Sequence, residues 1–231
     1  MKVGGDTGRV TLGLETDSGA EELDVEGVVF DCDGLLVDSE SIWLQMLREW
    51  LEERGLQDDP GNYLGLSVDD TAERLSAALQ EAASPERIVE ELTARYSGLL
   101  AAGVSPMPGA VDLVTALAHR TAVAVASNGL RRDVRSMLGE SALLAAAHTI
   151  CTLEDVTVGK PAPDLYLTAC DRLGVEPRRA VAFEDSPAGA RAALAAGLAV
   201  VGVNPDPAVD LPVSLRLTGL DQVSLFSAAH P

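Results

Sequence analysis

Val25-Glu26-Gly27-Val28-Val29-Phe30-Asp31-Cys32-Asp33-Gly34 is the stretch on which the fold of this chain turns. Its first six residues form a short apolar run bounded by polar sequence. That is the pattern of a buried strand. Asp31-Cys32-Asp33-Gly34 follows directly. A D-x-D sequence also opens calcium-binding EF-hand loops, but such a loop needs glycine sixth and an acidic residue twelfth. Here Gly34 stands fourth and Ile42 twelfth, and a strand precedes rather than a helix. Two readings remain. The segment is a polar turn closing a strand, or it places two carboxylates at the carboxyl end of a parallel strand, where ligand sites in open α/β sheets form.

Upstream, residues 1–22 are Gly-rich and acidic without a clear period, which predicts a poorly ordered tail. Downstream, segments 40–55, 67–82 and 85–102 carry apolar residues at helical spacing, as in Ile42, Met46, Leu47 and Trp50. Ser84-Pro85-Glu86 predicts a helix start, with Ser84 as the cap and Pro85 at the first helical position. Pro106-Met107-Pro108-Gly109 then punctuates the chain, and helix and strand patterns alternate. Strands are predicted over 121–126, 147–151, 179–183 and 199–203. Helices are predicted over 109–119, 130–138, 163–174 and 187–196. This alternation indicates a parallel sheet covered by helices. The expected architecture is α/β: a doubly wound, Rossmann-like parallel sheet with a small all-helical cap domain inserted after its first strand. The expected divisions are a flexible tail over 1–22, a core over 23–39 and 106–231, and a cap over 40–105.

Three further signals follow predicted strands or open predicted helices. Phe183-Glu184-Asp185-Ser186 is either a solvated helix entry, with Asp185 or Ser186 as cap, or a second acidic cluster at a strand end. Two such clusters on one sheet converge on a hard cation, for which oxygen donors suit Mg²⁺. Ala126-Ser127-Asn128-Gly129 is either a helix cap or a phosphate cradle built from a hydroxyl and backbone N–H groups. Gly159-Lys160-Pro161-Ala162-Pro163-Asp164 cannot be a Walker A loop, because Pro161 stands where Ser or Thr is required. It is either a rigid lead-in to a helix or a placement for Lys160, the only lysine besides Lys2.

The formal net charge of −19 over 231 residues argues against nucleic acid and against anionic membrane surfaces as partners. It also sets a condition on the site. Like charges 4 Å apart repel by about 1 kcal/mol in water and about 4 at an effective dielectric near 20. Four carboxylates meeting a phosphate dianion therefore need a metal cation as well as Lys160. Cys32, Cys151 and Cys170 lack disulfide or zinc spacing and read as free thiols. With no signal-peptide pattern at the start and no apolar run of membrane-spanning length, the expectation is a soluble cytoplasmic protein, a monomer or weak dimer.

Taken in order, DCDGLLVDSE (31–40), VASNG (125–129), GKPAPD (159–164) and FEDSPAGARAALAAG (183–197) resemble the four motifs of the haloacid dehalogenase-like hydrolases. The resemblance runs from about Val25 to Val203 and is nearest to the sugar-phosphate phosphatase and β-phosphoglucomutase-like branch. It implies that Asp31 attacks phosphorus and forms an aspartyl-phosphate. Asp33 would protonate the leaving alcohol and then activate water. Asp31, the backbone carbonyl of Asp33 and Asp185 would hold Mg²⁺, with Glu184 joining directly or through water. Ser127 and Lys160 would hold the phosphoryl oxygens, helped by backbone N–H groups of Asn128 and Gly129. The cap would close over the site, and cap residues would set specificity, with Gly65-Leu66-Ser67-Val68 a candidate segment or a plain helix start.

Departures from the family's patterns narrow the chemistry. Asp33 argues against the carbon–chlorine-cleaving members, which lack that second aspartate. The expected cap contains no lysine, so the Schiff-base chemistry of phosphonatases is excluded. Trp43 and Val68 stand where β-phosphoglucomutases carry a histidine and an arginine. The resemblance therefore implies hydrolysis of a small phosphorylated metabolite, a phosphosugar or sugar-acid phosphate. A sugar phosphomutase and a non-catalytic phosphometabolite-binding relative are the alternatives.

Overall fold

The computed structural model describes residues 8–16, 19–63, 66–80, 83–139 and 142–226. The chain opens with β1 (Val10–Thr16), β2 (Gly19–Val25) and β3 (Gly27–Phe30). Helices α1 (Ser39–Glu53), α2 (Val68–Ala78) and α3 (Pro85–Ala101) follow. Then come α4 (Ala110–Ala118), β4 (Ala122–Ala126), α5 (Arg131–Leu138), α6 (Ala142–Ala146) and β5 (Thr149–Cys151). The last part runs through α7 (Asp164–Leu173), β6 (Ala180–Glu184), α8 (Pro187–Ala196), β7 (Ala199–Val203), β8 (Leu215–Leu217) and β9 (Val223–Phe226). No helix among the described residues is long and apolar enough to cross a membrane.

Contacts divide the chain into two units, residues 38–104 and the remainder. In the larger unit six strands form a parallel sheet in the order β5-β4-β3-β6-β7-β8. Strands of a parallel sheet are covered on both faces, so they read as unbroken apolar runs. That is why β3, β4 and β6 are buried at every residue. Along each strand successive side chains point to opposite faces. Val29, Ala122, Ala124, Ala126, Ala180 and Ala182 pack with Leu165, Tyr166 and Ala169 of α7 and Ala190, Ala192 and Ala193 of α8. Val28, Phe30, Val123, Val125, Val181 and Phe183 alternate with these and are fully buried.

The register decides where the loops emerge. Phe30 pairs with both Val125 and Phe183, and the two phenyl rings stack with centroids 5.1 Å apart. Asp31, Ser127 and Glu184 therefore reach the same edge of the sheet within about one residue of each other. The chain moves outward from β3 through β4 to β5, then returns to the other side of β3 with β6. This reversal is the switch point at which open α/β sheets leave a crevice.

Among the described residues of 38–104 all regular structure is helical, with a 3₁₀ turn at Pro60–Tyr63. Met46, Leu47, Trp50 and Leu51 pack with Tyr63, Ala72, Leu75, Ile88 and Leu92 in a core of their own. Asp38 caps α1 and Ser67 caps α2 through side-chain bonds to Ser41 N and Asp70 N. Ser84 occupies the cap position of α3 but its hydroxyl makes no capping bond there. Gly65 of the candidate specificity segment lies outside the described residues.

The expected flexible tail needs correction. Residues 1–7 lie outside the described residues, but β1 and β2 pair antiparallel from Val10↔Val25 to Thr16↔Gly19. β9 adds on the far side of β1, matching Thr11 with Phe226 and Leu14 with Val223. Val10, Leu12 and Leu14 are buried, and their period of two is the signal of a half-buried strand. The glycines and acids around them masked it. The first strand of the parallel sheet is thus the third strand among the described residues, and β8 is a further strand that the sequence reading lacked.

Candidate active site

The turn after β3 is built by its backbone. Asp31 N–H donates to Phe183 O (3.0 Å), which continues the ladder one residue beyond the strand. Cys32 O accepts from both Leu36 N and Val37 N, and Gly34 N donates to Val37 O. Gly34 sits at φ +75°, and a side chain there would run into Asp185 Oδ2. Glycine meets both demands, since it enters the left-handed region without penalty and has no Cβ.

Lys160 joins the clusters. Its Nζ donates to Asp31 Oδ1 and, at 2.7 Å, to Glu184 Oε1. Its side chain is 4% exposed and that of Glu184 is fully buried. Asn128 clasps the Lys160 backbone: Lys160 N donates to Asn128 Oδ1 (2.8 Å) and Asn128 Nδ2 donates to Lys160 O (3.2 Å). Ser127 Oγ donates to Asp33 Oδ2 (3.0 Å). The Gly129 N–H, expected to face a phosphoryl group, instead donates to Ser127 Oγ (2.8 Å). Asn128 and Gly129 therefore shape the loop that presents Ser127 and Lys160.

Glu184 is held from several sides. Oε1 also accepts from the Tyr166 hydroxyl, and Oε2 accepts from Ser186 Oγ (3.1 Å). Ser186 Oγ in turn caps α8 by accepting from Gly189 N (3.1 Å). Any Cβ on Gly189 would overlap the Glu184 carboxylate, so the α8 backbone lies directly against it. Tyr166, Ser186 and Gly189 were not assigned to the site by sequence reasoning. Tyr166 lies six residues after Lys160, and a polar-tipped aromatic on an apolar helix face was the available signal.

Asp31, Glu184 and Asp185 present carboxylate oxygens within 4.8 Å of one another and could hold a metal ion. Burial pushes the Asp31 carboxyl up to about 7; Lys160 pulls it down, while Glu184 and Asp33 push it further up. Burial, and then the charges of Asp31 and Glu184, lift Asp185 well above the ordinary carboxylate range. Burial opposes the Lys160 charge, yet Asp31 and Glu184 outweigh it and hold the ammonium well above its usual value. Fully ionised, three clustered carboxylates against one ammonium would carry excess negative charge, which adds to burial in making Asp31 and Asp185 hold their protons more tightly. A hard divalent cation bound by oxygen donors fits such a set. The Asp33 carboxylate is not in this group, because it faces Ser127.

Residues 28–203 match the haloacid dehalogenase-like hydrolase family. The chain belongs to that family. Among curated relatives, fructose-1-phosphate phosphatase YqaB of Escherichia coli (strain K12) is 31% identical, over 77% of this chain and 95% of its own length. Hexitol phosphatase A of the same organism is 32% identical over 87% and 94%. The crystal structure of a haloacid dehalogenase family hydrolase from Deinococcus radiodurans R1, with bound phosphate and sodium, superposes with a TM-score of 0.70. It is 29% identical and covers 86% of this chain and 93% of that one. This haloacid dehalogenase-like hydrolase also has a basic cavity of about 320 Å³ beside β5, lined by Arg131, Arg135, His148 and Arg172. There the guanidiniums of Arg131 and Arg172 converge on the Asp155 carboxylate. That arrangement cross-links α5, α7 and the turn after β5.

Proposed function

We propose that this chain is a Mg²⁺-dependent phosphoric monoester hydrolase that moves a phosphoryl group from a small phosphosugar or sugar-acid phosphate onto Asp31 and then to water. The observation that carries the reading is the Lys160 ammonium bound at once to Asp31, just beyond β3, and to Glu184, at the end of the neighbouring β6. The ammonium lies beside Asp31 at the crevice where the strand order reverses, which supports Asp31 as the nucleophile. Family membership supports the reaction class. The relatives named for fructose 1-phosphate and hexitol phosphatase activity support the substrate class.

Asp31, Asp185 and the Asp33 carbonyl would hold Mg²⁺, with Glu184 joining directly or through water. When bound, the ion neutralises charge and polarises phosphoryl oxygens. The chain's own residues do the rest. An Asp31 carboxylate oxygen bonds to phosphorus as the bond from phosphorus to the ester oxygen breaks. Asp33 gives its proton to the departing alkoxide. Asp33 then takes a proton from water while the water oxygen bonds to phosphorus. The bond from phosphorus to Asp31 breaks, inorganic phosphate leaves, and both carboxyl groups return to their starting states. Lys160 stabilises charge on the transferring phosphoryl oxygens, and the Ser127 hydroxyl joins it by turning its single proton from Asp33 Oδ2 to a phosphoryl oxygen once substrate is bound; such stabilisation is the main contribution a protein makes to this transfer.

The test is a panel of sugar phosphates assayed for inorganic phosphate and for isomerised sugar phosphate. Phosphate release with Mg²⁺, lost on chelation and in Asp31→Asn, is expected. An Asp31→Asn protein with full activity refutes the assignment, and isomerised product without phosphate release establishes the mutase instead.

A further inference from the structure

Tyr166 touches both partners of the central ion pair. Its hydroxyl donates to Glu184 Oε1, the oxygen that also receives the Lys160 ammonium. Its ring lies below that ammonium, with Nζ 5.1 Å from the ring centroid, inside the range of a cation–π attraction. Tyr166 is fully buried, as is Glu184. A buried carboxylate oxygen left without a donor is costly, so Oε1 will draw on whichever donors remain.

We infer that the Tyr166 hydroxyl is a positioning group: by sharing Glu184 Oε1 with Lys160, it sets how far the ammonium leans from Glu184 toward Asp31 and the transferring phosphoryl group. The inference rests on the catalytic assignments of Asp31 and Lys160 above. With the hydroxyl present, Oε1 divides its hydrogen-bonding capacity between two donors. Without it, Lys160 becomes the sole donor to Oε1 and shifts toward Glu184. The Ser186 bond to Oε2 and the α8 backbone keep the carboxylate from moving to compensate. The lysine keeps its charge, so attraction for the bound substrate is retained. What is lost is alignment in the transition state, where small displacements matter most.

The experiment measures kcat and KM for phosphate release in the wild type, Tyr166→Phe, Lys160→Ala and the double variant, with thermal midpoints for each. Tyr166→Phe keeps the ring and is expected to lower kcat about tenfold, equivalent to about 1.4 kcal/mol. KM should stay within about twofold, the signature of an interaction made in the transition state. In the Lys160→Ala background the same change should have no further effect on rate, because the residue through which it acts is gone. Replacing Tyr166 by 4-aminophenylalanine, which retains a donor at the ring's para position, should recover most of the lost rate. A Tyr166→Phe enzyme with wild-type kcat overturns the inference, whatever its thermal midpoint, and so does an equal loss of rate with and without Lys160. Neither outcome touches the broader reading, which fails only if the wild type releases no phosphate or Asp31→Asn remains active.

Discussion

Gly189→Ala sets helix propensity against packing, and the two predict opposite signs. Gly189 lies inside α8, where alanine ordinarily stabilises a helix by about 1 kcal/mol. Here the new methyl would approach Oε1, Cδ and Oε2 of Glu184, all inside the 3.0 Å that real Cβ atoms respect. The carboxylate cannot simply swing away, since Lys160, Tyr166 and Ser186 all bind it. Overpacking of this kind costs about 1–3 kcal/mol. Breaking one hydrogen bond to a charged group adds about 1.5–3 kcal/mol. Set against the helix gain, the net expectation is a loss of about 1.5–5 kcal/mol. The natural control is Gly98→Ala in α3, an exposed helical glycine with nothing within 4 Å of the Cβ position. It should gain about 1 kcal/mol. Urea unfolding followed by circular dichroism gives both values through the shift in midpoint. Phosphate release should fall at least about tenfold in Gly189→Ala, because Glu184 carries Lys160 with it. A Gly189→Ala protein that is more stable than wild type and equally active refutes the account of Glu184 as an immobile anchor.

Two further perturbations test separate parts of the structure. Asp155 accepts from Arg131 Nη2 (2.7 Å), from Arg172 and from Thr152 N (2.9 Å). Burial pushes its carboxyl up, but these bonds outweigh it and hold it far below the usual range. A depressed folded-state pKa contributes stability above the unfolded value of about 3.9, and the contribution is lost as pH falls further. Asp155→Asn should therefore cost about 1–3 kcal/mol at pH 7, with the gap from wild type closing below about pH 4; an unchanged gap at pH 3 would contradict the assignment. Gly34→Ala forces a side chain into the left-handed region, a strain of about 1–2 kcal/mol, and drives its methyl into Asp185. A Mg²⁺ titration of its rate should show weaker activation than wild type, and an unchanged titration would remove Asp185 from the metal site.

The parallel sheet was legible because β3, β4, β6 and β7 are buried apolar runs, and burial on both faces is written locally in residue type. The strands β1, β2 and β9 were not. β1 pairs residues 11–14 with 223–226, and strand formation of this kind depends on partners far away in the chain. Asp31, Asp33, Ser127, Lys160, Glu184 and Asp185 could be singled out as candidates because each stands in a polar cluster at a strand end or in the lead-in to a helix. Tyr166 was not, because its one local mark, a hydroxyl-bearing aromatic among the buried residues of α7, does not say which partner the hydroxyl meets.

The sequence by itself determined the class of fold and marked the acidic side chains and Lys160 as candidates, since these follow from residue type and spacing. Only the tertiary structure decided which donor serves which oxygen. It turned Asn128 toward the Lys160 backbone, Gly129 N–H toward Ser127, and Asp33 toward Ser127 rather than into the acidic cluster. It also set Tyr166 and the bare Gly189 backbone against Glu184. Those choices depend on distances between residues as much as 129 positions apart, and they exist only once β3, β4 and β6 lie side by side in register.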